Sequence, residues 1–185
     1  MNQDLLRDLY SFLKDELGKR GHDIDKDGIC LTSSILVREI LIRLGYVCSV
    51  RRVEILIVND EGRKILEEYD KTGIMLSKDE VIARGGWIIG LGWAKDDFHY
   101  LVCFLLEDSI MDLTFGIVDR PEHGIKASPM WVTLETLPGC VYSICLRSSD
   151  DDQMSTPLLD DKIWMKDVVT RGRKLLLKYR LDSND

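Results

Sequence analysis

The apolar positions in the first part of the chain have the spacing of two helices. Residues 3–17 place leucine and phenylalanine three or four positions apart, which predicts an amphipathic helix docked on a core. After the polar segment 22–28, residues 30–44 are apolar on most sides and are followed by Gly45, a common helix stop. The second segment therefore predicts a helix buried within the fold.

From residue 47 onward the apolar positions alternate or form β-branched runs, as in strands. Five strands are predicted, at 47–59, 85–93, 99–107, 109–117 and, with the weakest pattern, 139–147. A short helix is predicted near 66–69, a polar linker at 150–157 and a closing helix at 158–181. Helices, then a sheet, then a helix predict one α+β domain over residues 1–185, with its core at about 20–148, rather than alternating βαβ units.

Composition narrows the partners and compartments to expect. The 185-residue chain is 45% hydrophobic and 31% charged, which is ordinary for a globular protein. No window approaches about 20 uninterrupted apolar residues and no export signal is visible, so we expect no membrane partner. The net charge of −7, with only a short basic run at 171–174, argues against a nucleic-acid partner. The five cysteines lack CxxC spacing, which predicts reduced thiols in a cytoplasmic protein.

Three residues carry the candidate chemistry. Cys30 begins the predicted buried helix, where unpaired backbone N–H groups and the helix dipole stabilise a thiolate. His99 begins the strand 99–107, and Asp112 lies between two apolar residues of the next strand, where a buried carboxylate needs a partner. Counting outward from residues 105 and 106, an antiparallel hairpin pairs His99 with Asp112.

These residue types, in this order, predict a catalytic triad. The carboxylate orients the imidazole, the imidazole holds or takes the thiol proton, and the thiolate attacks an acyl carbon. An oxyanion hole also requires hydrogen-bond donors, and the backbone N–H of Cys30 supplies one of them. Trp87, Trp93, Thr114 or a side chain of 22–28 are candidates for the second donor or for the pocket wall.

The residues that carry the candidate chemistry also resemble a known family. Gly-x-Cys at 28–30, Leu-Gly at 44–45, His-Tyr at 99–100 and Asp-x-Thr at 112–114 resemble the transglutaminase-like superfamily of papain-type cysteine enzymes, which includes the arylamine N-acetyltransferases. The resemblance covers roughly residues 26–120. It implies a papain-like fold, in which the Cys-bearing helix packs on an antiparallel sheet that carries the His and the Asp.

The resemblance also implies a reaction class. Members hydrolyse, deamidate, cross-link or transfer acyl groups, so the expected substrate is a peptide, a protein or a small acyl compound, and no cofactor is expected. Two positions depart from the pattern: Leu31 stands where many transglutaminases have an aromatic residue, and Leu113 stands where proline is frequent. The segment 112–124 is more weakly similar to the acetyltransferases, but the chain is much shorter, which argues against acetyl-CoA.

Three other interpretations remain open. The loop 23–28 has the first half of an EF-hand calcium pattern, although Ser34 stands where the pattern needs a bidentate glutamate. The three triad residues could instead hold zinc together with a water molecule, but none has a second ligand at the short spacings common in zinc sites. The third interpretation is a non-catalytic interaction domain in which the thiol is structural. The presence of all three triad residue types argues against it.

Overall fold

The structure is a computed structural model that describes residues 2–92, 98–147 and 156–180. Within these residues the fold is mixed α+β, as predicted, and its sheet is antiparallel. The six helices are α1 (Gln3–Gly18), α2 (Cys30–Arg43), α3 (Asp60–Thr72), α4 (Lys78–Ala83), α5 (Pro157–Asp160) and α6 (Lys162–Leu175). The six strands are β1 (Cys48–Val58), β2 (Ile88–Leu91), β3 (His99–Phe104), β4 (Ser109–Asp112), β5 (Met130–Thr133) and β6 (Val141–Leu146).

The long strand β1 organises the sheet, because it pairs with three others. Hydrogen bonding links the strands in the order β2-β1-β3-β4-β5, and β6 also pairs with β1. Val53 pairs with His99 of β3 and with β6, while Ile55 pairs with Leu91 of β2 and with β6. A strand residue has two sides, so β2 and β3 follow one another along the same edge of β1. The end of β2 therefore meets the beginning of β3, where His99 lies.

Strands β3 and β4 are buried on both faces of the sheet. On one face, α1, α2 and α6 pack together and join their apolar sides to Val102 and Phe104 of β3. On the other face, Leu101 of β3 and Ile110 of β4 contact a cluster that includes residues of the segment 115–125. Side chains alternate between the faces of a strand, so a strand between two cores has buried residues throughout. All six positions of β3 are buried, which explains its almost uninterrupted apolar sequence.

The β3–β4 hairpin corrects the predicted pairing of His99 with Asp112. Phe104 pairs with Ser109, so the loop is 105–108, and the same register puts Asp112 opposite Leu101. His99 and Asp112 are thus diagonal neighbours, and the predicted register is wrong by two residues. A shift of two leaves every side chain on its original face, because the strand period is two. The two residues can therefore still meet.

Other element boundaries also differ from the sequence prediction. The closing helix is interrupted at Asp161, whose side chain accepts the backbone N–H of Trp164 and begins α6 as a separate helix. Strand β5 was not predicted, because four residues are too short to show alternation. The predicted strand 109–117 ends at Asp112, and the turn Phe115–Val118 is a 3₁₀ helix. None of the described helices has the length and apolar character needed to cross a membrane.

Candidate active site

The first turn of α2 is attached to the beginning of β3. Gly28, with a φ of 62°, turns the chain toward the helix in a conformation that glycine adopts without strain. Cys30 Sγ donates to the backbone oxygen of Phe98 over 3.4 Å, and Ser34 Oγ donates to that of Tyr100 over 3.0 Å. The thiol of Cys30 is consequently held next to the residue that precedes His99.

His99 and Asp112 form a buried pair. Their side chains are 5% and 1% exposed, and His99 Nε2 lies 2.6 Å from Asp112 Oδ2. The other carboxylate oxygen, Oδ1, accepts the backbone N–H and the hydroxyl of Thr114, each at 2.8 Å. Asp112 therefore has a fixed orientation. Since Nε2 faces Asp112, Nδ1 is the ring nitrogen that remains for the Cys30 thiol, with which His99 also interacts.

Burial and the interactions with Asp112 and Cys30 act in opposite directions on the pKa of His99. Burial by itself lowers the pKa of His99, but the Asp112 charge and the hydrogen bonds with Asp112 and Cys30 outweigh it and raise the pKa above the ordinary value. An imidazole with a raised pKa is cationic at neutral pH. A cation beside a thiol stabilises the thiolate, which is the nucleophilic form of cysteine.

The buried cysteines outside the site have a different environment. Cys48 and Cys103 lie on neighbouring strands, and burial raises the pKa of each thiol to about 11. Both thiols are therefore protonated at neutral pH and contain little of the nucleophilic thiolate. They provide internal references against which the reactivity of Cys30 can be measured.

Cys30 and His99 open into one pocket of about 300 Å³. Its wall also includes Thr114, the residue that holds Asp112. Thr156, which precedes α5, closes another side, and its hydroxyl is hydrogen-bonded to that of Thr32 at 3.0 Å. The structure thus brings the three predicted triad residues and Thr114 to one place.

No family model, curated protein or solved structure matches the chain. The likeness to transglutaminase-like enzymes therefore rests on the sequence motifs alone. The distances and contacts of the site are read from the structure and do not depend on that likeness.

The structure does not bring Trp87 to Cys30, contrary to the prediction. The Trp87 ring stacks on His123, with ring centres 3.6 Å apart and planes 8° apart. It lines a separate cavity of about 260 Å³ beside α4, and its backbone N–H donates to Asn59. Trp87 directly precedes β2, and its stacking partner lies in a distant loop, so sequence spacing did not reveal this position. Trp93, the other predicted tryptophan, lies outside the described residues.

Several pocket residues were missed in the sequence. Leu31, Leu91, Phe98 and Ile117 all line the pocket. Phe98 directly precedes the strand-start histidine and Leu31 directly follows the helix-start cysteine, so adjacency to the candidate residues was a usable signal for these two. Leu91 reaches the pocket because β2 and β3 share an edge of β1, and sequence pattern alone does not contain that information.

The carboxylates of the loop 23–28 accept hydrogen bonds from donors of the protein. The Asp25 carboxylate accepts the Tyr10 hydroxyl and the Lys14 ammonium, each within 2.9 Å. Asp23 and Asp27 accept backbone N–H groups of the loop itself. Across the described ranges, no group of three or more His, Cys, Asp or Glu side chains has a metal-binding arrangement. The geometry supports neither the calcium nor the zinc interpretation.

Proposed function

We propose that this protein is a cysteine-dependent acyl-transfer enzyme of the transglutaminase-like superfamily. Cys30 is the nucleophile, His99 is the general base and acid, and Asp112 orients His99. One observation carries the proposal: the buried 2.6 Å contact between His99 Nε2 and Asp112 Oδ2, in a pair whose imidazole also interacts with the Cys30 thiol. A buried carboxylate–imidazole–thiol series is the arrangement that activates a cysteine for acyl chemistry.

The reaction has two steps. The Cys30 thiolate attacks the carbonyl carbon of a thioester, ester or amide, forming an S–C bond. The leaving group departs with the proton of the His99 imidazolium, which leaves a neutral imidazole. Water then attacks the acyl-enzyme: its hydroxide bonds to the carbonyl carbon, its proton passes to His99, and the S–C bond breaks to restore the thiolate.

The first turn of α2 contributes to stabilising the tetrahedral oxyanion. Ile29, the residue that precedes the helix, makes no side-chain capping bond to it. The N–H groups of the first helical turn lack partners within the helix, and the backbone N–H of Cys30 is the donor nearest the reacting sulfur. We assign that N–H as one oxyanion donor.

The packing of the site is one ground for proposing a papain-like arrangement. Helix α2, which begins with Cys30, packs on β3, which begins with His99, and Asp112 ends the neighbouring β4. All five cysteines are free thiols, which suits a reducing compartment, and we extend the proposal to a cytoplasmic location.

Site-resolved alkylation tests the triad. The native protein is treated with iodoacetamide between about pH 6 and 9, and the modification of each cysteine is followed by mass spectrometry. A thiol of pKa about 8.5 is only about 3% ionised at pH 7. We expect Cys30 to react at least about tenfold faster than such a thiol at pH 7 and to lose that advantage in His99→Ala. His123→Ala, which alters the histidine stacked on Trp87, is the matched control and leaves the rate unchanged.

The opposite result assigns the thiol a structural role. If Cys30 reacts no faster than Cys48 and Cys103, whose pKa values burial raises to about 11, it is not an activated nucleophile. Equal rates in the native protein and in His99→Ala would likewise refute the coupling between imidazole and thiol.

A further inference from the structure

The pocket beside Cys30 has an apolar wall. Much of this wall is formed by Gly28, Leu31, Leu91, Phe98 and Ile117. The described residues that line the pocket include no Asp, Glu, Lys or Arg. An acyl group held by Cys30 would therefore contact carbon atoms on most sides. Such a wall stabilises an apolar group by removing its surface from water.

Polar side chains of the wall are already hydrogen-bonded within the protein. The hydroxyl of Thr114 donates to Asp112 at 2.8 Å, and that of Thr156 shares a bond with Thr32 at 3.0 Å. Among the described residues that line the pocket, only His99 and Cys30 of the triad could pair with a charged group, and an unpaired buried charge is costly. The described part of the wall therefore favours uncharged acyl groups over charged ones.

Phe98 forms a supported side of this pocket. The guanidinium carbon of Arg52 lies 4.1 Å from the centre of the Phe98 ring, a cation–π contact that holds the ring in place. The Phe98 backbone oxygen accepts the Cys30 thiol, so the aromatic wall and the nucleophile are positioned together. At about 300 Å³ the pocket is at the lower end of the range for small-molecule sites.

We infer that the substrate of this site is an acyl compound whose acyl group is small, uncharged and apolar, a short aliphatic chain or a single aromatic ring. This inference rests on the proposed function, because it assumes that Cys30 is acylated. It goes beyond the triad in assigning specificity to Leu91, Phe98 and Ile117.

A set of p-nitrophenyl esters tests the inference on the full chain. Butyrate and phenylacetate esters carry apolar acyl groups, whereas the succinate monoester carries a carboxylate and the β-alanine ester an ammonium. Nitrophenolate release gives the acylation rate, peptide mass spectrometry locates the acyl group, and division by the rate with free cysteine removes differences in intrinsic reactivity. We expect the two apolar esters to acylate Cys30 at least about tenfold faster than either charged ester, a ratio that one unpaired charge readily produces.

A variant pair locates the discrimination in this pocket. Ile117→Lys introduces a cation into the wall and is expected to raise the relative rate of the succinate ester, while Ile82→Lys places the same charge in the cavity beside Trp87 and leaves the preference unchanged. Leu91→Lys replaces Ile117→Lys if that variant does not fold. The measurement on the native chain decides the inference even if neither variant folds.

The outcomes separate the inference from the proposed function. If no ester acylates Cys30 in a His99-dependent manner, the proposed function fails. If Cys30 is acylated in that manner but charged and apolar esters react at equal relative rates, only the inferred specificity fails.

Discussion

Replacing Asp112 by asparagine should reverse the effect of the protein on the ionisation of His99. Asparagine keeps the size of the side chain, and its oxygen can still accept the two hydrogen bonds from Thr114. The negative charge 2.6 Å from His99 Nε2 is lost, whereas burial remains. Burial is the largest single influence on the pKa of His99, and the interactions with Cys30 that remain in the variant are the smallest, so the pKa should fall from above the ordinary 6.5 to below it.

The change of sign appears in the pH dependence of stability. With a raised pKa in the folded state, His99 of the native chain contributes stability that is fully present below about pH 6.5 and is lost as the pH rises through the folded pKa. In Asp112→Asn the histidine is buried as the neutral form, so its contribution is lost as the pH falls below about 6.5. Each titration changes the free energy of unfolding by at most about 1.4 kcal/mol per pH unit.

The magnitude follows from the burial of the pair. Removing one partner of a buried ion pair costs about 3–5 kcal/mol. The cost at pH 6 should be at the lower end, about 3 kcal/mol, because His99 can release its proton and Thr114 keeps its bonds. A loss of 1 kcal/mol lowers the midpoint temperature of thermal unfolding by about 2–4 °C for a chain of this size, so this temperature should fall by about 6–12 °C in the variant.

Two measurements check this prediction. Urea unfolding at a series of pH values gives the stability difference between native chain and variant, and nitrogen-15 NMR of the imidazole gives the His99 titration. Asp108→Asn, in the exposed β3–β4 loop, is the matched control, because its positive φ of 47° is well tolerated by asparagine. An unchanged His99 titration in Asp112→Asn would refute the ion-pair reasoning.

Two further variants probe other contacts. Thr114→Val removes the hydroxyl bond to Asp112 and keeps the backbone bond. We expect acylation to be about tenfold slower and the free energy of unfolding in urea to be about 1 kcal/mol lower. A loss of stability with an unchanged acylation rate would contradict the positioning role of Thr114. Glu16→Gln weakens the bidentate contact with Arg171 that joins α1 to α6. The pKa of Glu16 is lowered mainly by the Arg171 hydrogen bonds, so its contribution exists above about pH 4.5 and is lost as the pH falls through the lower folded value. The free energy of unfolding, measured over a series of pH values, should therefore be lower in Glu16→Gln than in the native chain at neutral pH and nearly equal in the two at low pH.

Helices α1 and α2 were the best-predicted elements of the fold, whereas α3 is longer than the short helix predicted near 66–69 and α4 was not predicted. Predicted bounds of 3–17 and 30–44 compare with Gln3–Gly18 and Cys30–Arg43. Apolar spacing of three and four residues is a local property, and a glycine or a polar turn marks each end. The interruption at Asp161 was missed because a capping aspartate competes with an otherwise continuous helical pattern.

The three candidate triad residues could be predicted from the sequence, whereas most residues that line the pocket could not. Cys30, His99 and Asp112 follow from a helix start, a strand start and a buried carboxylate, all visible locally. The hairpin register was wrong by two, yet the period of two kept His99 and Asp112 on one face. Trp87 shows the limit, because its contact with His123 joins segments that no local pattern connects.

The sequence by itself determined helices α1 and α2 and the strands β1 and β3, because the periodicity of their side chains is a property of consecutive residues. It also determined which residue types are present at the candidate site. Only the tertiary structure decided that β2 and β3 share one edge of β1, that Leu91 and Ile117 reach the pocket of Cys30, and that Asp112 and Cys30 together outweigh the effect of burial on the pKa of His99. The physical reason is that contacts and electric fields depend on distances in space, which the packing of all the elements sets together.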